Sequence, residues 1–136
     1  MSIVLDASMT LAWLFEDEQT DQVLATIHHV YMGGASVPPL WRYEVANGLQ
    51  MAIRRQRITP DYRTRCLDKI DELPITIDPD GVSEIWSTTI KLADLYRLTV
   101  YDAAYLELAQ RRRLPLATLD AALSKAARES GVDLFF

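Results

Sequence analysis

A chain of 136 residues with 49% hydrophobic and 24% charged side chains suits one domain, 1–136, with enough apolar material to close a core, and argues against disorder. Its net charge of −5, from 14 basic and 19 acidic side chains, excludes a protein that coats nucleic acid by general basicity; a nuclease stays open, because a metal nuclease needs an acidic site. The lone cysteine, Cys66, excludes an internal disulfide framework and reads as a small buried apolar residue in a helix.

Ser2 to Leu5 reads as a short buried strand ending at Asp6, after which Ser8 can cap a helix through Leu11, Trp13, Leu14 and Phe15. A second helix is expected over Glu18 to Met32, ended by Gly33 and Gly34. Ala35 to Val37 follows as a strand stopped by Pro38 and Pro39, then Leu40 to Arg55 as a helix with an apolar stripe of Trp41, Val45, Gly48, Leu49 and Ala52. Thr59 before Pro60 starts another helix, carrying Leu67, Ile70 and Leu73. The strand Ile75 to Ile77 precedes a long helix expected from Val82 to Tyr96, and Asp102 opens a further helix. Leu116 to Thr118 reads as a strand, Ala121 to Glu129 as a helix, and Gly131 to Phe136 as a last short strand. Strands alternating with helices predict an α/β fold with a parallel sheet covered on both faces. No charged-then-apolar start and no run of about 18 apolar residues occurs, so the expectation is a cytoplasmic protein with no membrane contact.

In an open parallel sheet, ligands bind beyond the carboxyl ends of the strands. Asp6 and Asp120 follow two such ends, Asp102 opens a helix, and Glu44 lies one turn into a helix that itself follows a strand. Like charges about 4 Å apart repel by roughly 4 kcal/mol at an effective dielectric near 20. A cluster of acids therefore needs either protonation or a bound cation. Carboxylates without histidine or cysteine favour a hard ion, Mg²⁺ or Mn²⁺, which can activate water and stabilise the leaving oxygen of a phosphodiester. The bland alternatives stay open at this point: Asp6 as a turn residue, Asp102 and Asp120 as helix caps, Glu44 as a solvated charge. Ser8, Asn47 and Thr118 are placed to orient the acids, with capping or helix–helix bonding as their ordinary uses. Two arginine clusters, Arg54, Arg55 and Arg57, and Arg111, Arg112 and Arg113, fit either solvated helix ends or phosphate steering. His28 and His29 point apart on one helix and are read as packing or solvated residues, and no glycine-rich phosphate loop is present.

Four segments together carry a resemblance: Ile3-Val4-Leu5-Asp6-Ala7-Ser8, Pro39-Leu40-Trp41-Arg42-Tyr43-Glu44-Val45-Ala46-Asn47, Val100-Tyr101-Asp102-Ala103-Ala104-Tyr105-Leu106-Glu107-Leu108-Ala109, and Pro115-Leu116-Ala117-Thr118-Leu119-Asp120. In order and spacing the sequence resembles the PIN-domain family, and within it the VapC toxins of toxin–antitoxin pairs. The resemblance implies a three-layer α/β/α domain and a Mg²⁺- or Mn²⁺-dependent ribonuclease. It makes Asp6, Glu44, Asp102 and Asp120 the acidic quartet, with Asp6 and Asp102 as direct ligands. Glu44 and Asp120 then bind a second ion, bind through water or orient the nucleophile. It also implies RNA as substrate, a VapB-like antitoxin and a homodimer; Trp13, Leu14, Phe15 and Trp41 are candidates for lining the antitoxin groove, with core packing as the alternative. Three rival readings are an inactive PIN-fold interaction module, a haloacid-dehalogenase-like phosphatase and a receiver-like signalling domain. The phosphatase lacks its second aspartate, since Ser8 stands two residues after Asp6; a receiver with Asp78 as phosphoacceptor lacks a late lysine.

Overall fold

The computed structural model describes residues 1–136. Four strands, β1 (Ile3–Leu5), β2 (Ala35–Val37), β3 (Ile75–Ile77) and β4 (Leu116–Ala117), form one parallel sheet in the order β3-β2-β1-β4. β1 is central: Ile3 and Val4 stand beside Ala35 and Ser36, and Val4 and Leu5 beside Leu116 and Ala117. The strands are short and apolar because both faces are covered; β1, β2 and β4 are buried throughout. Only β3, at the edge, is partly exposed.

Seven helices connect and cover the strands: α1 (Ala7–Leu14), α2 (Asp21–Gly33), α3 (Leu40–Arg54), α4 (Pro60–Asp71), α5 (Ile90–Tyr96), α6 (Val100–Arg112) and α7 (Ala121–Ser130). α1 packs on α2 and α3, while α6 packs on α5, α7 and β1, giving the three-layer α/β/α arrangement. The core between them includes Ile3, Leu5, Met9, Leu14, Leu49, Tyr105, Leu106 and Leu116. α1 and α3 approach so closely that a Cβ at Gly48 would collide with the Leu11 side chain, which explains glycine within an otherwise regular helix.

Strand order places the site. The chain runs outward from β1 to β2 to β3, then returns past β1 to lay down β4 on its other side. The sheet's topological switch point therefore lies between β1 and β4, and the crevice beyond their carboxyl ends is where an open α/β sheet takes its ligand. Asp6 follows β1 directly, and Thr118 follows β4. The Asp6 backbone N–H donates to the Ala117 carbonyl at 3.1 Å, so the two strand ends stay in register up to the crevice.

Three expectations need correction. The cap of α1 is Asp6, whose Oδ1 accepts the Met9 N–H at 2.9 Å, and Ser8 lies inside the helix. The long helix expected from Val82 is broken into a 3₁₀ turn (Gly81–Glu84), a π turn (Ile85–Thr89) and α5. Ser83, Ser87 and Thr88 bond back to Asp80 and Glu84 through their hydroxyls, a local competition that loosens regular helix. The final strand reduces to a single bridge of Leu134 to Leu116.

Candidate active site

Asp6 is 4% exposed and is held from three directions. Ser8 Oγ donates to Oδ1 and Oδ2 at 2.8 and 2.9 Å, the Met9 N–H donates to Oδ1, and Thr118 Oγ1 donates to Oδ2. The backbone behind it is fixed as well: Thr10 Oγ1 donates to the Asp6 carbonyl at 2.9 Å, and Trp41 Nε1 donates to Thr10 Oγ1 at 3.1 Å. Thr118 also ties in Asp120, whose N–H donates to Thr118 Oγ1 at 3.0 Å, while the Leu119 N–H donates to Ser8 Oγ at 3.0 Å. Ser8 and Thr118 thus lash the loop after β4 to the start of α1. Asp120 caps α7, its Oδ2 accepting the Leu123 N–H at 2.8 Å. The capping role is real for Asp6 and Asp120, and for Asp120 it uses one carboxylate oxygen and leaves Oδ1 open.

Asp102 lies in the first turn of α6, whose cap is Thr99. Its carboxylate accepts no hydrogen bond and faces no cation. Glu44 comes from the opposite layer, on α3, and Tyr105 Oη donates to its Oε1 at 2.6 Å. Tyr105 is the residue that sequence reasoning missed. An aromatic in the second turn of an amphipathic helix reads as core, and Tyr105 is indeed 1% exposed; only the hydroxyl end serves the site.

Electrostatically the four acids form one unit. Burial pushes the Asp6 carboxyl up to about 6 against the opposing hydrogen bonds, and the Asp102 charge adds to the rise. Burial likewise raises Asp102, helped by the charge of Asp120, and raises Glu44, helped by that of Asp102. The Tyr105 phenol is pushed far above its ordinary range by burial and by the charges of Glu44 and Asp6. Asp102 is therefore the hub felt by both neighbouring carboxylates and itself feeling the fourth. Every ion pair of the fold lies elsewhere: Arg57 with Asp17 and Glu18, Arg111 and Arg112 with Asp78, Glu107 and Asp80, and Lys125 with Glu129. The acids converge with no protein cation to offset them. They do not, however, crowd onto one point: no three of the chain's histidine, cysteine, aspartate or glutamate side chains stand close enough to hold an ion between them. Direct ligation of one ion by the whole quartet is not the arrangement found here.

Other expected site residues fall outside. Asn47 is exposed on α3 and makes no bond to Glu44. Trp13, Leu14, Phe15 and Trp41 are all largely buried, at 5%, 1%, 6% and 3% exposure, since apolar rings and chains of that size gain most by leaving water; of the four, Phe15 also lines an open concavity, together with Arg57, Ile58 and Tyr62. Trp41 serves the site from beneath, through Thr10. Arg57, Arg111 and Arg112 are tied to carboxylates and are not free for phosphate.

Removing the Tyr105 hydroxyl tests the α3–α6 link. Tyr105→Phe is expected to destabilise the fold by about 1 kcal/mol, the net worth of one such bond, and to raise the Glu44 pKa further. Denaturant unfolding and a carboxyl NMR titration of Glu44 measure the two effects; an unmoved Glu44 titration would mean that the bond does not hold this carboxylate.

The PIN domain family model matches residues 3–129, and the chain belongs to that family. Among curated relatives, Ribonuclease VapC3 of Pyrobaculum aerophilum is 30% identical over 125 residues, covering 92% of this chain and 94% of the relative. Ribonuclease VapC9 of Mycobacterium tuberculosis is 34% identical over 126 residues, covering 90% and 88%. The crystal structure of PAE2754 from Pyrobaculum aerophilum superposes with a TM-score of 0.64 at 24% identity, over 93% of this chain and 87% of that one, a likeness of fold. The PIN fold expected from the four sequence segments is thus the fold found, and the phosphatase and receiver readings fall away. Asp78, the supposed phosphoacceptor, is 1% exposed and clamped by two arginines.

Proposed function

We propose that this chain is a single-domain, divalent-metal-dependent ribonuclease that hydrolyses RNA phosphodiester bonds at the Asp6–Glu44–Asp102–Asp120 site, and that it is the toxin of a VapBC-like toxin–antitoxin pair. One observation carries the chemistry: carboxylates from four separated segments gather at the switch point of the sheet, where burial first and then the charge of Asp102 raise Asp6 and Glu44, and burial and the charge of Asp120 raise Asp102, with no cation of the chain among them. The ribonuclease names of relatives aligned over nine-tenths of the chain support RNA as the substrate.

The donor set fits a hard ion, Mg²⁺ or Mn²⁺, because it offers carboxylate oxygens and neither imidazole nor thiolate. Mg²⁺ retains several waters and takes one or two carboxylates directly, which suits a site where no three acids share a point. We assign Asp6 and Asp102 as its direct holders, with Glu44 and Asp120 acting through water. A divalent ion bound there supplies positive charge to the phosphate and acidifies water. The chain's own groups do the rest. Ser8 and Thr118 fix the Asp6 carboxylate, Tyr105 fixes Glu44, and the open oxygens Oε2 of Glu44 and Oδ1 of Asp120 remain to orient or accept a proton from water.

Purified protein is expected to cleave cellular RNA with Mg²⁺ or Mn²⁺ and to stop when chelator is added. Asp6→Asn and Asp102→Asn are expected to lower cleavage at least about 100-fold while the fold survives. Full activity of folded Asp102→Asn protein would defeat the assignment, and absence of cleavage with either ion would leave an interaction module. The same reading includes a cytoplasmic setting, a VapB-like antitoxin that copurifies from a two-gene plasmid, and a homodimer that light scattering detects. No helix is long and apolar enough to cross a membrane.

A further inference from the structure

Trp41 and Thr10, 3% and 0% exposed, are bonded to each other behind Asp6: the indole Nε1 donates to Thr10 Oγ1 at 3.1 Å. An indole N–H can only donate, and a hydroxyl has one proton, so the direction of this relay is fixed. Thr10 accepts from the indole and gives its own proton to the Asp6 carbonyl at 2.9 Å. The backbone bond to the same carbonyl, from the Thr10 N–H, is longer at 3.3 Å, so the hydroxyl is the closer hold. With the Asp6 N–H given to Ala117, both main-chain groups of this residue are committed.

The bond also joins two helices. Thr10 belongs to α1, Trp41 to the first turn of α3, and Glu44 stands one turn further along α3. One turn beyond Glu44, Gly48 meets Leu11 of α1 with no room for a Cβ. Trp41, Glu44 and Gly48 follow one another at steps of three and four residues and so share one side of the helix. Glu44 is therefore fastened to α1 on either side of itself, by a hydrogen bond before it and by close packing after it. These two fastenings, with Tyr105 from α6, hold the span from Asp6, the cap of α1, to Glu44.

We propose that Trp41, acting through Thr10, is a positioning residue that keeps the Asp6–Glu44 span rigid, and that this rigidity makes the site prefer Mg²⁺ to Ca²⁺. The proposal rests on the metal-dependent reading and adds which ion the site rejects, and by what means. Both are hard cations that take carboxylate oxygens, so the donor atoms do not separate them. Geometry does. Mg²⁺ demands near-octahedral ligands at about 2.0–2.1 Å, whereas Ca²⁺ accepts about six to eight oxygens at about 2.3–2.6 Å in flexible arrangements. A fixed span suits the first ion, and a span free to widen suits the second. A hydrogen bond has a preferred length and direction, which an apolar contact lacks, so it is the stiffer of the two fastenings. Satisfying a buried indole N–H takes any acceptor. The acceptor found here is the one hydroxyl that holds the main chain of the most buried of the four acids.

Calorimetric titration of metal-free protein with Mg²⁺ and with Ca²⁺ tests this without any cleavage step. Thr10→Val, which keeps the shape and removes the hydroxyl, is expected to weaken Mg²⁺ about tenfold and Ca²⁺ less than about twofold. Trp41→Phe, which keeps an aromatic ring and removes the donor, is expected to do the same. Thr10→Ser, which restores the hydroxyl, is expected to match wild type. The double variant Trp41→Phe/Thr10→Val is expected to be no weaker than either single one, because both break one relay. Denaturant unfolding verifies that each variant is folded; should Trp41→Phe not fold, Thr10→Val against Thr10→Ser carries the test alone. Equal losses for both ions in Thr10→Val, or a Mg²⁺ affinity within about twofold of wild type, would overturn the proposal and leave the metal reading standing, since the bond would then serve only the core. A wild type that binds neither ion would sink the metal reading itself, and the proposal with it.

Discussion

Metal-free protein is expected to gain stability as the pH is lowered from 7 towards 5, the reverse of ordinary acid denaturation. The folded chain holds the Asp6 proton more tightly, with a pKa of about 6 against 3.8 for the unexchanged side chain, so the folded state binds more protons between those values. Stability therefore rises as the pH falls through about 6, and the gain is complete below 3.8. At about 1.4 kcal/mol per pH unit, the full rise is about 3 kcal/mol, a large share of the 5–15 kcal/mol total usual for a domain. Asp102 and Glu44 move in the same direction. Asp78 moves oppositely: burial raises it, but the hydrogen bonds and charges of Arg111 and Arg112 prevail and hold it below its ordinary value. Its contribution is present above 3.8 and is lost as the pH falls further, so from these two groups stability is expected to peak on the acid side, at roughly pH 4. Denaturant midpoints measured across pH 3.5–8 in chelator trace this curve; the range is about the two titrations just described. Asp6→Asn should flatten the rise and be the more stable protein at pH 7. Mg²⁺ should stabilise wild type at pH 7 by mass action and Asp6→Asn much less. A wild-type curve that is level from pH 7 to 5 would remove the charge strain on which the metal reading depends.

Arg111→Met is expected to be among the most damaging single changes, at about 3–5 kcal/mol. Arg111 bridges two carboxylates with almost no exposure of their own, Nη2 to Asp78 Oδ2 at 2.6 Å and Nε to Glu107 Oε2 at 2.7 Å. Removing the guanidinium leaves two buried anions facing each other, with Arg112, at 2.9 Å from Asp78, unable to reach Glu107. The same knot holds the segment 81–89 to α6: the Gly81 N–H donates to Asp78 Oδ2 at 2.8 Å. A Cβ at Gly81 would stand 2.8 Å from that oxygen and 3.2 Å from Arg111 Nη2, so Gly81→Ala should also destabilise. Arg112→Met, which spares the Glu107 bridge, should cost less. Chemical unfolding of the three variants ranks them, and an Arg111→Met protein within 1 kcal/mol of wild type, as a rough threshold, would mean that the two carboxylates take up protons without strain.

Much of the site was legible because its parts obey local rules. Apolar triplets such as Ile3-Val4-Leu5 followed by a carboxylate mark strand ends, and in a parallel sheet strand ends share an edge. What escaped depends on pairs far apart in the chain. Tyr105 and Glu44 are 61 residues apart, and Arg111 and Asp78 are 33 apart, so neither bond leaves a periodic trace. The arginine run 111–113 looked available for phosphate for the same reason. Asn47 failed because being one turn along α3 from Glu44 makes a bond possible without requiring it, and the exposed Asn47 amide stays in water while Glu44 is held by Tyr105. Trp13, Phe15 and Trp41 were ambiguous in kind, since groove and core are built from the same residue types.

Thr118 and Asp6 are 112 residues apart and belong to adjacent strands. A nascent chain whose residues after Pro115 are still inside the ribosome has no β4, no Thr118 to steady Asp6 and no Asp120. Asp6, made first, therefore gains its final hydrogen bonds only when the segment from Leu116 to Asp120 is laid down beside β1.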